Sequence, residues 1–458
     1  MASKSTFRYG PMLFPVILAI ALTACTPAPP QPPPTQQAPP LTPLPTAIPV
    51  PPSSTPCIPE FAQPEIVFQL TPPADFVDWA LADYNSDGLV DILVARGKWQ
   101  SSEDFEVDVF VNDGAGSFSR ATYPVFVGGI PQTQNPREIV TADFNGDGRV
   151  DVFIAGHGDD RSPFPGYQNS LILSNPAGKL VDATANLPQQ SDFTHSAATA
   201  DIDQDGDIDI YVGNIYGARP IPPQILLNDG TAHFAVARGL LPSAQADLNR
   251  NKYTTSLFVD VNNHTFPDLV LGADDFTKVS AVLLNDGKGH FALLPDAMPA
   301  KPFAPTDIAL DIASTDLNGD SFQDLLISWT KGDPSYKGRY IQVLINDRDG
   351  MFSDKTLSRM PPQPYVDTIW RFKFIELADV DEDEDLDILT HVFMDQAVYL
   401  NNGEGTFALS TSALPIPPIS WYALADVDGD GHKDLVSSVP GTIEGSEAFS
   451  VGRWLACP

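Results

Sequence analysis

Carboxylate and amide side chains recur in this sequence in a nine-residue pattern whose spacing suits calcium chemistry. Seven copies carry aspartate at positions 1 and 9, and all but one carry acidic or amide residues at positions 3 and 5. Calcium takes about six to eight hard oxygen ligands, and a short loop supplies them when alternating side chains point inward. The pattern therefore predicts side-chain ligands at positions 1, 3, 5 and 9, with the backbone carbonyl of position 7 completing the shell.

Six of the seven copies are predicted to bind calcium. Their predicted ligands are Asp83, Asn85, Asp87, Leu89 and Asp91 in the first copy; Asp143, Asn145, Asp147, Arg149 and Asp151 in the second; Asp201, Asp203, Asp205, Asp207 and Asp209 in the third; Asp316, Asn318, Asp320, Phe322 and Asp324 in the fifth; Asp379, Asp381, Asp383, Asp385 and Asp387 in the sixth; and Asp426, Asp428, Asp430, His432 and Asp434 in the seventh.

The copies are predicted to differ in their affinity for calcium. Glycine at position 6 permits a positive φ, but the fifth and sixth copies have Ser321 and Glu384 there and should bind more weakly. The fourth copy has His264 at position 5 and Thr265 at position 6. Imidazole is a poor calcium ligand, so this copy is expected to stay empty. The sequence thus predicts four to six structural Ca²⁺ ions, the alternative being hydrogen-bonded Asx turns without an ion.

The residues on either side of each copy indicate which secondary structure holds these turns. Apolar stretches precede and follow each copy, as Trp79–Leu81 and Asp91–Val94 do in the first, so each copy is a tight turn between adjacent strands. A hairpin signature such as Val111–Gly114 follows each of the first six copies. Each unit therefore predicts a four-stranded antiparallel blade, and successive copies begin 47 to 63 residues apart.

This repeat resembles the FG-GAP and VCBS repeats of integrin-alpha-type propellers, and the resemblance covers residues 60–458. It implies an all-β, seven-bladed β-propeller with calcium-binding turns between strands. The family hosts adhesion modules, lectin-like proteins and enzyme accessory domains, so the resemblance predicts the fold and leaves the function open. The last unit lacks the hairpin signature, and Glu65–Leu70 stands before the first unit as an unassigned strand. We expect that strand to complete the last blade.

The N-terminal residues indicate export. Lys4 and Arg8 precede an apolar run that ends in Leu22–Cys25, a tetrapeptide that resembles the lipobox of bacterial lipoproteins. Residues 1–24 are thus predicted to be a lipoprotein signal peptide, and residues 25–59 a proline-rich tether with lipidated Cys25; the alternative is ordinary cleavage that leaves a free cysteine. The expected location is the bacterial cell envelope, outside the cytoplasm.

The two remaining cysteines, Cys57 and Cys457, flank the predicted ring. Exported proteins meet oxidising conditions, so a disulfide between them is expected to clamp the two ends together. The alternative is a pair of free thiols at disordered ends.

The formal charge of -33 argues against nucleic acid and anionic lipid surfaces as partners. The chain is predicted to be a surface-displayed adhesion or recognition module whose partner is a protein or a polysaccharide, bound by a monomeric head on the loops opposite the calcium turns. Candidate ligand-binding residues in those loops are His157, Asp159, Tyr167, Asn169, His195, Tyr216, Trp329 and Trp421. No catalytic residues are assigned, but His157, Asp159 and His195 could meet in space, which keeps a polysaccharide lyase or hydrolase as the alternative function.

Overall fold

The computed structural model describes residues 60–70, 76–98, 100–217, 220–333, 336–363, 372–381, 383–392, 397–410, 421–440 and 447–456. These residues form seven sheets arranged as the blades of a β-propeller, which confirms the predicted all-β class and the number of blades. The predicted signal peptide, the tether and all three cysteines lie outside the described residues. Within the described part of the chain, no helix is long and apolar enough to cross a membrane.

Each blade has four main antiparallel strands, named A to D from the axis outward. The strands are Phe76–Ala82, Asp91–Gly97, Asp108–Asn112 and Phe118–Arg120 in blade 1; Glu138–Ala142, Asp151–Ala155, Ser170–Asn175 and Lys179–Asp182 in blade 2; Thr194–Ala200, Asp209–Asn214, Gln224–Asn228 and Phe234–Ala237 in blade 3; Tyr253–Val259, Asp268–Ala273, Ala281–Asn285 and Phe291–Leu293 in blade 4; Ile308–Thr315, Asp324–Lys331, Lys337–Asn346 and Phe352–Asp354 in blade 5; Phe372–Ala378, Asp387–Val392, Ala397–Asn401 and Phe407–Leu409 in blade 6; and Trp421–Ala425, Asp434–Pro440, Glu447–Gly452 and Glu65–Gln69 in blade 7.

A few short elements supplement the blades. Phe126–Val127 adds a parallel fifth strand to blade 2, Phe105–Glu106 pairs with Gln132–Thr133, and Glu60–Phe61 pairs with Trp454–Ala456. The helical segments are Thr122–Val125, Thr184–Asn186 and Thr356–Arg359.

The strand order places the turns on two faces. In every blade the nine-residue turn joins strands A and B, and strand B begins at its ninth residue, as the pairing of Ala82 with Asp91 shows. The hairpin between strands C and D lies at the same end of the blade in blades 1 to 6, and we call this end the turn face. The B–C turns and the connections between blades lie on the opposite end, the loop face. This division agrees with the prediction from sequence.

The N-terminal strand closes the ring, as predicted. Glu65–Gln69 is antiparallel to strand C of blade 7, with Glu65 opposite Val451 and Gln69 opposite Ala448. N-terminal to it, Glu60 lies opposite Ala456 in a short terminal sheet, whose Phe61 is buried between blades 6 and 7. Both ends of the described chain therefore meet at blade 7.

The apolar core lies between the blades. Each pair of neighbouring blades encloses one cluster of buried side chains, and there are seven such clusters in the described structure. Position 2 of each nine-residue turn contributes a buried side chain to the cluster shared with the next blade; these side chains are Tyr84, Phe144, Ile202, Val261, Leu317, Val380 and Val427. Each turn thereby contributes to the packing of its blade against the following one. Burying one apolar side chain stabilises the fold by roughly 1.5–3 kcal/mol.

Candidate metal centres

The nine-residue turns share one hydrogen-bond pattern. The carboxylate at position 1 accepts the backbone N–H of position 6 in all seven turns, at 2.7 to 3.1 Å. The buried carboxylate at position 9 accepts the N–H of position 2, again in all seven. Its other oxygen accepts the N–H of a strand C residue in blades 1 to 6. The aspartate at position 9 therefore has a role in the turn that is independent of any ion.

The backbone is left-handed at position 6 of every turn. This holds for the glycines, as at Gly88 with φ 87°, and also for Thr265, Ser321 and Glu384, whose φ values are 70 to 75°. A β-carbon added at Gly88 would meet nothing within 4 Å, so the cost of a larger residue here is conformational rather than steric. The prediction of positive φ at position 6 is confirmed, and the turn with His264 keeps the same conformation as the others.

Three turns bring three carboxylates together. Ligand atoms of Asp201, Asp203 and Asp209 lie within 4.8 Å of one another, and the same is true of Asp379, Asp381 and Asp387, and of Asp426, Asp428 and Asp434. Each group joins positions 1, 3 and 9. Turns with asparagine at position 3 lack a third carboxylate at this place. These three aspartate clusters could each hold a metal ion.

A second observation points to a cation at two of the clusters. The Oδ1 atoms of Asp203 and Asp381, both at position 3, are buried and have no hydrogen-bond partner among the described residues. Leaving a buried polar atom without a partner is costly, and a bound cation would remove that cost. Hard carboxylate oxygens that converge on a small space are the ligands that calcium prefers.

Burial makes the carboxylate at position 9 of the turns hard to ionise in the absence of a cation. Desolvation, assisted by the neighbouring turn carboxylates and partly offset by the two backbone hydrogen bonds, raises the pKa of Asp209 and Asp387 to about 7. Burial is also the main cause that raises the pKa of Asp91, Asp151, Asp268 and Asp324 to about 6. A divalent cation at the cluster would favour the charged form and reverse this shift.

Sequence reasoning missed a link between blades that uses the hairpin asparagine. Asn346 of blade 5 donates through Nδ2 to the carbonyl of Val261, at position 2 of the turn in blade 4, at 2.7 Å. Asn112, Asn228 and Asn285 make the same bond to the preceding blade. We call this link the asparagine clasp. Blade 2 has Ser174 at this position, and its hydroxyl donates to Asp151 of its own blade.

The structure places the predicted ligand-binding residues on or below the loop face, with very different exposure. His157, Asn169 and Trp329 are at most 4% exposed, so a ligand could not touch them without rearrangement of their surroundings. Tyr167 is half-buried, and its backbone bonds that of Asp192 in both directions. Tyr216 is 38% exposed. For Trp421, only its place in strand A of blade 7 is described.

The three residues considered for catalysis do not form an accessible acid–base pair. The rings of His157 and His195 lie 5.6 Å apart, but His157 is buried against Phe193. Burial, with Arg137 and His195 nearby, holds the pKa of His157 well below its usual range. Asp159 is ion-paired with Arg161, with 2.5 Å between Oδ2 and Nη2.

Part of the chain matches a known family of repeats. The family model of the FG-GAP-like repeat matches residues 83–154, 143–212 and 316–390. None of the curated protein sequences matches this chain. Among solved structures, the chain is similar to an Agrocybe aegerita lectin studied for its recognition of non-reducing terminal N-acetylglucosamine, with 16% identity, a TM-score of 0.45 and coverage of 74% of this chain and 79% of that one. It is also similar to the V. cholerae biofilm matrix protein Bap1, with 12% identity, a TM-score of 0.39 and coverage of 86% and 71%.

Proposed function

We propose that this chain, an FG-GAP repeat protein folded as a seven-bladed β-propeller, is a recognition or adhesion module. In this proposal calcium stabilises the fold, and the loop face binds a protein or a polysaccharide. The observation that carries the recognition role is the set of aromatic side chains exposed on that face. Tyr216, Phe276 and Phe303 are 38%, 53% and 47% exposed. Exposed aromatic rings held by a rigid scaffold are typical of binding surfaces.

The environment of these rings favours polar as well as apolar contacts. Lys252 places its Nζ 4.7 Å from the ring centroid of Tyr216 and 4.0 Å from that of Phe276. Phe164 stacks on Tyr216 with 5.8 Å between centroids. An ammonium group between two rings offers hydrogen-bond donors beside flat apolar surfaces, which suits a hydroxyl-rich or peptide ligand. We do not extend the proposal to a lyase or hydrolase, because His157 and Asp159 are buried or ion-paired.

Replacing two of the exposed rings tests the loop face. The Tyr216→Ala/Phe303→Ala variant should bind at least about tenfold more weakly to the glycans or secreted proteins that the wild-type chain captures, because stacking contacts are lost. The measurement is binding to a glycan array and to a panel of immobilised secreted proteins. Leu409→Ala is the matched control, since Leu409 is 54% exposed on the outermost strand of blade 6. Unchanged binding by the double variant would show that recognition occurs elsewhere.

The metal part of the proposal assigns four to six calcium ions per chain to the nine-residue turns, including the three aspartate clusters. The converging carboxylates of the third, sixth and seventh turns support it, as do the unpartnered Oδ1 atoms of Asp203 and Asp381. The remaining predicted ligands, including the position 7 carbonyls, belong to the same proposal. We assign a structural role to the ions, because these turns lie on the face opposite the exposed rings.

Two variants test which turns bind calcium. Asp203→Ala removes one of three converging carboxylates and should lower the measured calcium content by one ion per chain. His264→Ala should leave the content unchanged, because an imidazole at position 5 is a poor calcium ligand. Calcium can be counted by atomic emission spectroscopy after dialysis against a calcium-buffered solution. Loss of an ion from the His264→Ala variant would mean that the fourth turn does bind calcium.

We further propose that the module is held in a bacterial cell envelope by a lipid on Cys25 and that a Cys57–Cys457 disulfide seals the ring. Support for the disulfide comes from the pairing of Glu60 with Ala456, since the two cysteines are close in sequence to these paired residues. Mass spectrometry of the non-reduced full chain should find a lipidated peptide that begins at Cys25 and one peptide pair that reduction separates. An unmodified Cys25, or two thiols open to alkylation, would contradict the corresponding part of the proposal.

A further inference from the structure

A cavity of about 570 Å³ opens on the loop face of blade 4. Its walls come from three segments: the connection that leads into strand A, the B–C turn and the connection that follows strand D, at residues 245–253, 276–282 and 293–298. The volume lies within the range of small-molecule sites, roughly 300–1,000 Å³. No residue of a nine-residue turn lines it, so the cavity is separate from the candidate metal centres.

The accessible walls of the cavity include large apolar side chains. Phe276, Val279 and Leu293 line it and are 53%, 44% and 44% exposed. These side chains present a surface that an aromatic or aliphatic group would cover favourably, because each Å² of apolar area removed from water contributes roughly 25 cal/mol. The occupant therefore needs an apolar body.

Charged side chains lie among the exposed lining residues, and two of the three are cationic. Arg250 and Lys278 contribute positive charge and Asp296 contributes negative charge. The chain as a whole has 26 basic and 59 acidic residues, so two cations in one cavity lining contrast with its acidic composition. Arg250 lies 3.9 Å from the Asp247 carboxylate, and its side chain is 67% exposed. Its guanidinium is thus accessible to a carboxylate on a ligand, which it can bind through two parallel hydrogen bonds.

One polar atom in the buried lining lacks a partner. Gln245 lines the cavity and is 6% exposed, and its Oε1 has no hydrogen-bond partner among the described residues. A buried amide oxygen in this position accepts a hydrogen bond from an N–H or O–H group. The occupant therefore needs one hydrogen-bond donor on its apolar body.

We propose that this cavity binds a small amphipathic carboxylate, which consists of an apolar body with one hydrogen-bond donor and an anionic end. The inference rests on the proposed role of the loop face as the recognition surface, and it adds the chemical class of one ligand. The apolar body contacts Phe276 and Leu293, the donor reaches Gln245 Oε1, and the carboxylate pairs with Arg250.

Three related compounds test these contacts by isothermal titration calorimetry on the full chain. Indole-3-acetate has all three features, 1-methylindole-3-acetate lacks the donor, and indole-3-acetamide lacks the charge. Indole-3-acetate should bind saturably, and each analogue should bind about tenfold more weakly. Arg250→Ala should weaken indole-3-acetate binding about tenfold and leave indole-3-acetamide binding unchanged. Lys288→Ala, which removes a cation from the C–D hairpin on the turn face of the same blade, is the control and should bind as the wild type does.

A second variant examines the buried contact. Gln245→Leu should bind indole-3-acetate and its 1-methyl analogue equally, and its circular dichroism spectrum and melting curve report whether the blade still folds. Equal affinity for all three compounds, no binding of any, or wild-type affinity in Arg250→Ala would overturn the assignment.

The outcome for the cavity can be separated from the outcome for the loop face. The Tyr216→Ala/Phe303→Ala variant leaves the cavity lining intact, so it should bind indole-3-acetate normally while it loses the glycan or protein ligand. Failure of indole-3-acetate binding together with loss of that ligand in the double variant would overturn the cavity assignment alone.

Discussion

Removal of calcium with excess EDTA should lower the melting temperature of the protein by about 10 °C or more, because an ion that binds only the folded state contributes roughly 2.7 kcal/mol at a hundredfold excess over its dissociation constant. The three aspartate clusters each place carboxylates within 4.8 Å of one another, and without a cation their repulsion and desolvation oppose folding. Differential scanning calorimetry with and without EDTA measures the effect. Re-addition of Ca²⁺ should restore the original curve, and equal Mg²⁺ should not.

The pH dependence in EDTA gives a second test with a defined sign. The pKa of the position 9 carboxylates is raised to about 6 in four blades and about 7 in two, above the value of about 3.9 for an unfolded aspartate. The folded state therefore holds more protons, and its stability is highest at acid pH and falls as pH rises through 6 to 7. The calcium-free protein should melt at a higher temperature near pH 5.5 than near pH 7.5. The buried His157, whose pKa is lowered, acts in the opposite direction but is a single group.

With calcium present the direction should reverse. Acid protonates the ligands and weakens calcium binding, so the calcium-bound protein should melt at a lower temperature near pH 5.5. A melting temperature that is unaffected by EDTA at both pH values would contradict the assignment of the clusters as calcium sites.

Asn346→Ala should destabilise the protein by about 3 kcal/mol, since each buried polar group left without a partner costs roughly 1–3 kcal/mol. Asn346 is 2% exposed. Its Nδ2 donates to the carbonyls of Val261 and Gln323, and its Oδ1 accepts the N–H groups of Arg348 and Gly350. The substitution opens the asparagine clasp between blades 4 and 5. Urea unfolding followed by tryptophan fluorescence measures the loss.

Asn249→Ala is the matched control for the clasp. Asn249 is exposed, and its side chain bonds the nearby Asp247 carboxylate, so the same chemical change should cost less than about 0.5 kcal/mol. If Asn346→Ala and Asn249→Ala unfolded at the same urea concentration, the clasp would not contribute to the cohesion of the ring.

The architecture was predictable because it repeats. Seven turns of one pattern, each between two apolar stretches, determine the strands on both sides, and the alternation of turns and connections determines the two faces. The orphan strand Glu65–Gln69 was predictable from the missing strand in the last unit, and it does complete blade 7. Each of these predictions used a signal present in many copies or a gap that only one segment could fill.

The contacts between blades were harder to predict, although their signals were present. Position 2 is apolar in every copy and the hairpin asparagine recurs, but a turn explained both residues locally. Their partners lie in another blade, and Asn112 bonds a carbonyl at Val427 at the other end of the chain. Burial on the loop face was not predictable, because irregular connections have no periodicity. Trp329 was predicted to bind a ligand there, yet its indole donates to Gln342 inside blade 5.

The closing strand also sets the order in which the propeller can form. Glu65–Gln69 is among the first segments of the ring to be synthesised, whereas its partner, Glu447–Gly452, is among the last. A growing chain can complete earlier blades as it emerges, but blade 7 remains open until nearly all of the chain is available. Such a long-range pairing makes ring closure a slow, late step in folding. Truncation or stalling near the C-terminus would leave an exposed strand edge at blade 7, which is a site for aggregation during biogenesis.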